Sequence, residues 1–573
     1  MPNNELALLD QVLAQQQAER DVPLPDDEAF EVFVCEQVLR VFDFSGDETV
    51  AGIVGGGNDG GIDGMFVVLG DTPLDEDSEV FDDDFQPTRV PVGTTLLLLL
   101  VQAKRTPSFA ETALDLVASS SDRLLDLSIT EDELRLLYSD AVVQRAAIFR
   151  DALQRLATRH PRVEIRFVYA TRGSTDSINI KVEAKSSDLK KRFSSVTPGA
   201  TGTVDFLSAR ELWGLASSVP TYTLELSYAE NATSGSSYVA IVNLRDYLDF
   251  LTDAAGNLRR HIFDWNVRDF EGAVEVNKEI RDSLNDPDSP EFWWLNNGVT
   301  VICSNTSIVG KKYILDDVQI VNGLQTSHTI YQVLRDAPED HPALNRSLLV
   351  RILVTGDPQT RDRVIRATNR QTAVPAASLR ATDEIQRSIE AYFLPRGWYY
   401  DRRKNYYRNI GKSPERIVSI SLLAQAIMAM GLSRPDDSRA RPSSLLKRDE
   451  DYRKIFSDSI GLEIYLWVAK AQRQVDAFLK SLGAALSATE RTNLRFHLSM
   501  VASARLLGGR VYAPAQLATI AKDDRDIAQA DLPACLKSLQ GYYTDREQLT
   551  GDPSDKIAKS APFVSFILDS EWP

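Results

Sequence analysis

Carboxylate, amide and lysine side chains occur at the ends of two apolar stretches near the start of the sequence. Asp63 directly precedes the run GMFVV, and Gln102 and Lys104 end the run LLLLLVQAK. Residues two apart in a strand face the same side of a sheet, so Gln102 and Lys104 are predicted to point together, while Ala103 offers its carbonyl oxygen. Phosphodiester hydrolysis with a divalent ion requires converging oxygen ligands and a nearby cation. The pattern therefore predicts a metal-dependent nuclease centre.

A second negative ligand is predicted on the helix DDEAFEVFVCEQVLRVF, where Glu31 is the first choice and Glu28 and Glu36 are alternatives. The stretch GGGNDGGIDG before Asp63 is rich in glycine, which permits positive φ and lets a nucleic-acid backbone come close. Asp59 within it is predicted to form a turn. Taken singly, these elements are also explained by a flexible turn, a surface lysine and a solvated glutamate.

In combination, GGNDGGIDG and the strand ending in QAK resemble the PD-(D/E)XK nuclease superfamily, particularly its Mrr-like branch, in which glutamine replaces the second acid. Phe30-Glu31 resembles the helix glutamate of that branch. The resemblance implies that Asp63 and Glu31 bind Mg²⁺ or Mn²⁺, that Gln102 is a neutral ligand or positions water, and that Lys104 orients the nucleophile. The gap between Asp63 and Gln102 is longer than is usual in the superfamily.

The periodicity of the chain predicts an α/β multidomain protein. Two helices, two strands, a helical region and two further strands come first, an order expected for a restriction-endonuclease-like α/β domain over residues 1–215. A second α/β domain is expected over 216–412. Leucine- and alanine-rich helical patterns then dominate, so a mostly helical part is expected over 413–573.

Composition narrows the function classes. At 573 residues the chain should hold two to four domains. Three distant cysteines and five scattered histidines indicate neither a disulfide framework nor a cysteine or histidine metal site. No apolar window or N-terminal leader indicates a membrane or secretory protein, so a cytoplasmic location is expected.

The net charge of −18 argues against a protein that coats nucleic acid non-specifically. Much of this charge lies between the two predicted catalytic strands, in GDTPLDEDSEVFDDDFQP. Such a segment is usually a solvated loop. Its place permits the hypothesis that residues 71–84 cover the site as a phosphate mimic.

Amide-rich motifs mark the second domain. WWLNNGVTV, IVNGLQTSHT and TNRQT, together with NVRDF at 266–270, resemble the AIPR family, named for abortive infection phage resistance, over about residues 217–430. The resemblance implies a bacterial defence protein with an N-terminal nuclease, but no mechanism for this domain. Helix N-termini bind anions readily, and VNGLQT resembles the turn and helix of ParB-like and DGQHR-type modules, which implies a nucleotide or phosphate pocket. The alternative is that these amide side chains only join loops to one another. The candidate residues are Asn296, Asn297, Asn322, Gln325, Asn369, Arg370 and Gln371.

A basic, aromatic stretch, PRGWYYDRRKNYYRNIGKSPER, begins at Pro395. Guanidinium groups grip phosphates and exposed rings stack on unpaired bases, so a nucleic-acid contact is one reading. The other is a domain-joining segment with core aromatics and paired arginines. The candidate contacts are Trp398, Tyr400, Arg402, Arg403, Lys404 and Arg408.

Together these observations favour an Mg²⁺-dependent endonuclease of bacterial anti-phage defence, with DNA favoured and RNA possible as substrate. A homodimer is expected by analogy, because paired centres cut two strands. The alternatives are a nucleotide- or DNA-binding sensor whose nuclease fold is only a clamp, and a scaffold within a larger defence complex.

Overall fold

The computed structural model describes the chain except for residues 1–3, 19, 21–22, 43, 71, 77, 82–84, 218–222, 236, 255, 264–274, 370–382, 403–405, 410, 441–444, 447 and 573. It has mixed α/β architecture with several small sheets and a helical C-terminal region. Within the described residues, no helix is both long and apolar enough to cross a bilayer.

The N-terminal region alternates helices and strands. Its helices are α1 (Asn4–Ala18), α2 (Asp26–Val38), α3 (Gly46–Ala51), α4 (Glu111–Leu124), α5 (Glu131–Arg135), α6 (Asp140–Arg155), α7 (Ile180–Ser194) and α8 (Ala209–Ser217). Its strands are β1 (Gly64–Leu69), β2 (Thr72–Leu74), β3 (Thr95–Lys104), β4 (Arg162–Thr171) and β5 (Thr201–Leu207).

These strands form one sheet in the order β2-β1-β3-β4-β5. β1 runs antiparallel to β2 and β3, while β3, β4 and β5 are parallel. The leucine run of β3 is buried on both faces, as predicted. Even-numbered residues such as Leu98 pack towards α4, α6 and α7, and odd-numbered ones such as Leu99 pack towards α1, α2 and α8.

The middle region contains further small sheets. Its strands are β6 (Leu224–Ser227), β7 (Glu230–Ser234), β8 (Ser237–Asn243), β9 (Val299–Cys303), β10 (Asn305–Val309), β11 (Lys312–Asp316), β12 (Gln319–Asn322) and β13 (Ser347–Val354). Its helices are α9 (Leu244–Leu251), α10 (Glu275–Asn285), α11 (Phe292–Leu295), α12 (Leu324–Leu334) and α13 (Pro358–Asn369). One sheet has the order β12-β9-β13-β8-β7, and the other β10-β11-β6.

The remaining region is mostly helical, with one large apolar core that extends from Ile385 to Ile567. Its strands are β14 (Tyr399–Asp401) and β15 (Ile417–Ser419). Its helices are α14 (Glu384–Phe393), α15 (Tyr406–Asn409), α16 (Ile420–Leu432), α17 (Pro435–Ala440), α18 (Asp449–Ile455), α19 (Leu462–Ser481), α20 (Ala488–Leu507), α21 (Ala518–Lys522), α22 (Leu532–Thr550), α23 (Ser554–Ala558) and α24 (Ala561–Glu571).

Two helices of this region go beyond the order expected from the sequence. The lysine-bearing stretch after β4 forms the helix α7, whose Val182, Leu189 and Phe193 are buried. The stretch SGDE before the glycine cluster begins α3. There Ser45 and Glu48 form a capping box, in which Ser45 Oγ accepts from the Glu48 N–H at 3.2 Å.

Candidate functional site

The start of β1 and the end of β3 bring Asp63 and Lys104 together, as the sequence predicts. The Asp63 N–H donates to the Val101 carbonyl (2.8 Å), and Asp63 Oδ2 accepts from the Ala103 N–H (2.7 Å). Lys104 Nζ lies 3.4 Å from both oxygens of that carboxylate. Asp63 is 1% exposed, whereas the Lys104 side chain is 41% exposed, so the carboxylate is buried beneath an ammonium group that solvent reaches.

Glu31 joins this pair from α2, and a missing side chain makes its approach possible. A Cβ on Gly55 would lie 2.5 Å from Glu31 Oε2 and 3.4 Å from Asp63 Oδ1. The first distance is a clash, so only glycine leaves the two carboxylates a common space at this position. Of the three helix acids considered, Glu31 therefore borders Asp63. Glu28 instead pairs with Lys480 at 3.0 Å.

Asp59 shapes the turn, as predicted. Its Oδ1 accepts from the Gly61 N–H (2.7 Å) and its Oδ2 from the Gly56 N–H (3.2 Å). Gly60 and Gly61 both have positive φ and pack against α4, where Ser120 Oγ donates to the Gly60 carbonyl at 2.8 Å. Gly60 and Gly61 thus belong to a close-packed turn, whereas a Cβ on Gly56 or Gly57 would meet open space.

The two carboxylates hold their protons more tightly than usual. Burial, and next the charge of Asp63, raise the pKa of Glu31 from 4.5 to about 8. Burial also raises the pKa of Asp63, although Lys104 opposes the effect. The pKa of Lys104 is raised because attraction to Asp63 outweighs its partial burial, so its amine is protonated at neutral pH. Two desolvated acids beside each other favour the binding of a further cation.

Gln102 adds a polar atom without a partner. Its side chain is 2% exposed, and its Oε1 accepts no hydrogen bond from the described residues. A buried carbonyl oxygen in this condition is costly unless a ligand satisfies it. Gln102 shares its face of β3 with Lys104, and its Cα is paired with that of Tyr169 on β4.

The oxygen donors at this site fit a hard divalent cation, although only two of them are carboxylates. The N–H and C=O of one strand residue point to the same neighbouring strand, so the Ala103 carbonyl faces the side on which its N–H meets Asp63. No group of three or more histidine, cysteine, aspartate or glutamate side chains placed to hold a metal occurs among the described residues. A cation here would therefore rely on Asp63, Glu31, Gln102 Oε1 and the Ala103 carbonyl.

The described part of the acidic segment lies at the other end of the sheet. The Gly70 N–H donates to the Thr95 carbonyl (2.7 Å), and the six residues of β1 separate this end from Asp63 by about 20 Å. Val80 is buried, and Glu76 lies 3.5 Å from Arg439. The described part of residues 71–84 is therefore not placed to cover the site. Asp71, Asp77 and 82–84 lie outside the described residues.

Two of the amide-rich motifs, WWLNNGVTV and IVNGLQTSHT, meet at one end of a sheet. β12 runs antiparallel to β9, so Asn322 lies near Asn296 and Asn297. Asn296 Nδ2 donates to the Phe292 carbonyl (3.4 Å), and the Asn297 carbonyl accepts from Arg351 (3.0 Å). Gln325, in the first turn of α12, accepts from Asn277 at 2.7 Å.

Backbone geometry explains the glycines of these motifs. Gly298 and Gly323 have φ of 76° and 95°. A Cβ on Gly298 would lie 2.4 Å from the Leu349 carbonyl oxygen, and one on Gly323 2.7 Å from Val299. The described contacts thus join loops to one another, and ligand binding here stays a prediction. Asn369 ends α13, while Arg370, Gln371 and the NVRDF motif lie outside the described residues.

The basic, aromatic stretch is mostly occupied by internal contacts. Tyr400 is fully buried and donates to Gln386 Oε1. Arg402 is 7% exposed and forms an ion pair with Glu390 at 2.5 Å. Arg408 donates to the Phe44 carbonyl (3.0 Å).

Trp398 packs against the C-terminal core. The interpretation of Tyr400 and Arg402 as nucleic-acid contacts is therefore wrong, because both side chains are buried and paired within the protein. Arg408 is half-buried, and its contact with nucleic acid stays a prediction. The core position of Tyr400 and the ion pair of Arg402 agree with the alternative interpretation, a domain-joining segment with core aromatics and paired arginines. Arg403 and Lys404 lie outside the described residues.

Part of the chain is similar to a known protein family. Residues 263–525, just under half of it, match the family model described as AIPR protein. The match begins later and ends later than the 217–430 of the motif resemblance, and it reaches into the helical region. Comparisons with curated proteins and with solved structures gave no match.

Proposed function

We propose that this protein is a metal-dependent nuclease that hydrolyses phosphodiester bonds. The observation that carries the proposal is that Glu31 and Asp63 converge at the space left by Gly55, with Lys104 Nζ 3.4 Å from the Asp63 carboxylate. Burying two neighbouring carboxyl groups beside a single ammonium group costs stability, and such perturbed acids are concentrated at functional sites. The buried, unpartnered oxygen of Gln102 supports the same conclusion.

Each residue has a distinct part in the proposed chemistry. Asp63, Glu31, Gln102 Oε1 and the Ala103 carbonyl would hold Mg²⁺ or Mn²⁺. The ion would supply Lewis-acid stabilisation of the phosphoryl oxygens and lower the pKa of bound water. Lys104, protonated and accessible to solvent, places a positive charge where a scissile phosphate would approach. Its protonation favours charge stabilisation over general-base catalysis.

The family match supports a place in abortive-infection phage defence. DNA is the favoured substrate on the strength of the nuclease resemblance, and RNA is the other substrate to test. The homodimer expected by analogy can be checked by light scattering, where a monomeric active enzyme would contradict it.

A nucleic-acid or nucleotide sensor is the second candidate. The observation that favours it is the neutral Gln102 in place of a second strand carboxylate, which leaves a proposed metal site with two acids only. Such a site binds metal weakly, so the nuclease fold could serve as a clamp without cleavage.

A nucleic-acid cleavage assay on a lysine variant distinguishes the nuclease from the sensor. Wild-type protein, Lys104→Ala and Lys185→Ala are incubated with Mg²⁺ or Mn²⁺ and either supercoiled plasmid or single-stranded RNA. Lys185 is a matched control because it also pairs with an aspartate, but with Asp115 on α4 and not with Asp63. We expect Lys104→Ala to lose at least about 100-fold of the cleavage rate and Lys185→Ala to keep it. Equal background cleavage by all three would remove the enzymatic proposal.

A further inference from the structure

The short helix α3 connects the candidate site to the C-terminal helices. Arg473, on α19 within the AIPR-matched residues, forms a two-point ion pair with Asp47 of α3, at 2.6 Å (Nη1 to Oδ1) and 3.3 Å (Nη2 to Oδ2). The Arg473 side chain is 18% exposed, and its Nη2 also donates to the Ile417 carbonyl. The planar guanidinium thus fixes α3 against two elements of the other half of the chain.

A second arginine holds the same helix. Arg408 Nη1 donates to the Phe44 carbonyl (3.0 Å), just before α3, and to Thr49 Oγ1 (3.2 Å) within it. Thr49 is 1% exposed. Two guanidinium groups from the AIPR-matched residues therefore hold α3 at its start and along its length.

The segment after α3 pairs directly with the chain around Asp63. The Gly52 carbonyl accepts from the Met65 N–H at 2.8 Å. The N–H groups of Val54 (2.9 Å) and Gly55 (3.1 Å) both donate to the Asp63 carbonyl. A Cβ on Gly52 would lie 2.1 Å from the Phe66 ring, so the backbone at Gly52 is packed directly against this ring. A shift of α3 would therefore move Gly55, which lines the space between Glu31 and Asp63.

We propose that Arg473 is a positioning residue for the metal site, acting through Asp47, α3 and Gly52–Gly55 to set the spacing of Glu31 and Asp63. The inference rests on the proposed function. It also gives the AIPR-matched region a physical means of controlling the N-terminal site, because any rearrangement that withdraws Arg473 from Asp47 removes one of the two arginine contacts that hold α3.

Metal titration tests the proposal. In Arg473→Gln we expect the apparent affinity for Mn²⁺ to fall about tenfold, the scale seen when residues supporting a metal ligand are replaced. The cleavage rate at saturating Mn²⁺ should stay near the wild-type value, because the ligands and Lys104 remain. Asp47→Asn should reproduce the effect, and the double variant should be no worse than either, since both remove one interaction.

Arg505→Gln is the matched control, because Arg505 also makes a two-point ion pair, with Glu571, but within the C-terminal region. It should leave the Mn²⁺ affinity unchanged. Equal affinities in wild type, Arg473→Gln and Asp47→Asn, or an equal loss in Arg505→Gln, would overturn the proposal.

Hydrogen exchange on metal-free protein separates this inference from the proposed function. We expect the amides of Val54 and Gly55 to exchange faster in Arg473→Gln than in wild type or Arg505→Gln. If wild-type protein neither binds Mn²⁺ nor cleaves nucleic acid, the nuclease proposal fails, and with it the metal-site role of Arg473. If it binds Mn²⁺ but exchange at 52–55 is unchanged in Arg473→Gln, only the positioning role is overturned.

Discussion

Replacement of Glu31 by glutamine is expected to stabilise the metal-free protein while it destroys the metal site. The folded-state pKa of about 8 lies above the usual 4.5, so the folded protein binds more protons than the unfolded chain between these values. The stability that protonated Glu31 contributes is therefore fully present below about pH 4.5 and is lost as the pH rises towards 8. Glutamine has nearly the same shape as the protonated acid but cannot ionise, so the variant does not lose stability at high pH.

The magnitude follows from the two pKa values. At about 1.4 kcal/mol for each tenfold change in proton affinity, the ionisation of Glu31 costs at most about 4 kcal/mol at pH 8. Glu31 is only partly buried, and solvent screening reduces the expected gain in Glu31→Gln to about 1–2 kcal/mol. For a domain of this size, that gain raises the melting temperature by roughly 2–8 °C.

Scanning calorimetry with a chelator present, at pH 5 and pH 8, measures this effect. Glu31→Gln should raise the N-terminal transition at pH 8 and alter it little at pH 5. Glu28→Gln, one helical turn earlier and paired with Lys480, is the control and should bring no gain. Added Mn²⁺ should stabilise the wild type but not Glu31→Gln. A variant that is no more stable than wild type at pH 8, or equally stabilised at both pH values, would refute the reasoning.

Three further predictions address other parts of the chain. Glu76→Gln with Glu79→Gln should leave plasmid cleavage and DNA affinity unchanged, because the acidic segment lies at the far end of the sheet; a rise in either would restore its role as a cover. Arg402→Gln should destabilise the C-terminal region by about 3 kcal/mol in urea unfolding, since Glu390 would be buried with Tyr407 as a remaining partner, and should not change the salt dependence of DNA binding. Gly323→Ala should cost at least about 1 kcal/mol by the same measurement, because an alanine there is strained at positive φ and meets Val299; an unchanged midpoint would contradict this.

The sequence predicts the site well where chemistry and strand geometry act together. The alternation of side chains along β3 places Gln102 and Lys104 on one face, and the apolar run before them indicates a buried strand that ends at a sheet edge. The order of the first strands and helices follows from the same periodicity. The mixed α/β architecture and the helical C-terminal region are likewise confirmed, while the restriction-endonuclease-like fold stays a prediction.

Long-range contacts could not be predicted in this way. Arg402 and Arg408 look like phosphate-binding residues in sequence, but their partners, Glu390 and the Phe44 carbonyl, are identified only by the folded chain. The contact between Asp47 and Arg473 joins residues more than 400 positions apart and has no local signal. The capping box at Ser45 was a local signal for α3, and it could have been used.

The central claim is tested most directly by calorimetric titration of Mn²⁺ into wild-type protein, Asp63→Asn and Asp59→Asn. Asp59 is the matched control, because its carboxylate forms the turn and an amide oxygen can still accept the shorter of its two hydrogen bonds, from the Gly61 N–H (2.7 Å). We predict one Mn²⁺ per chain for wild type and Asp59→Asn, and at least about tenfold weaker binding for Asp63→Asn. Absence of binding to the wild type, or equal affinity in Asp63→Asn, would contradict the account.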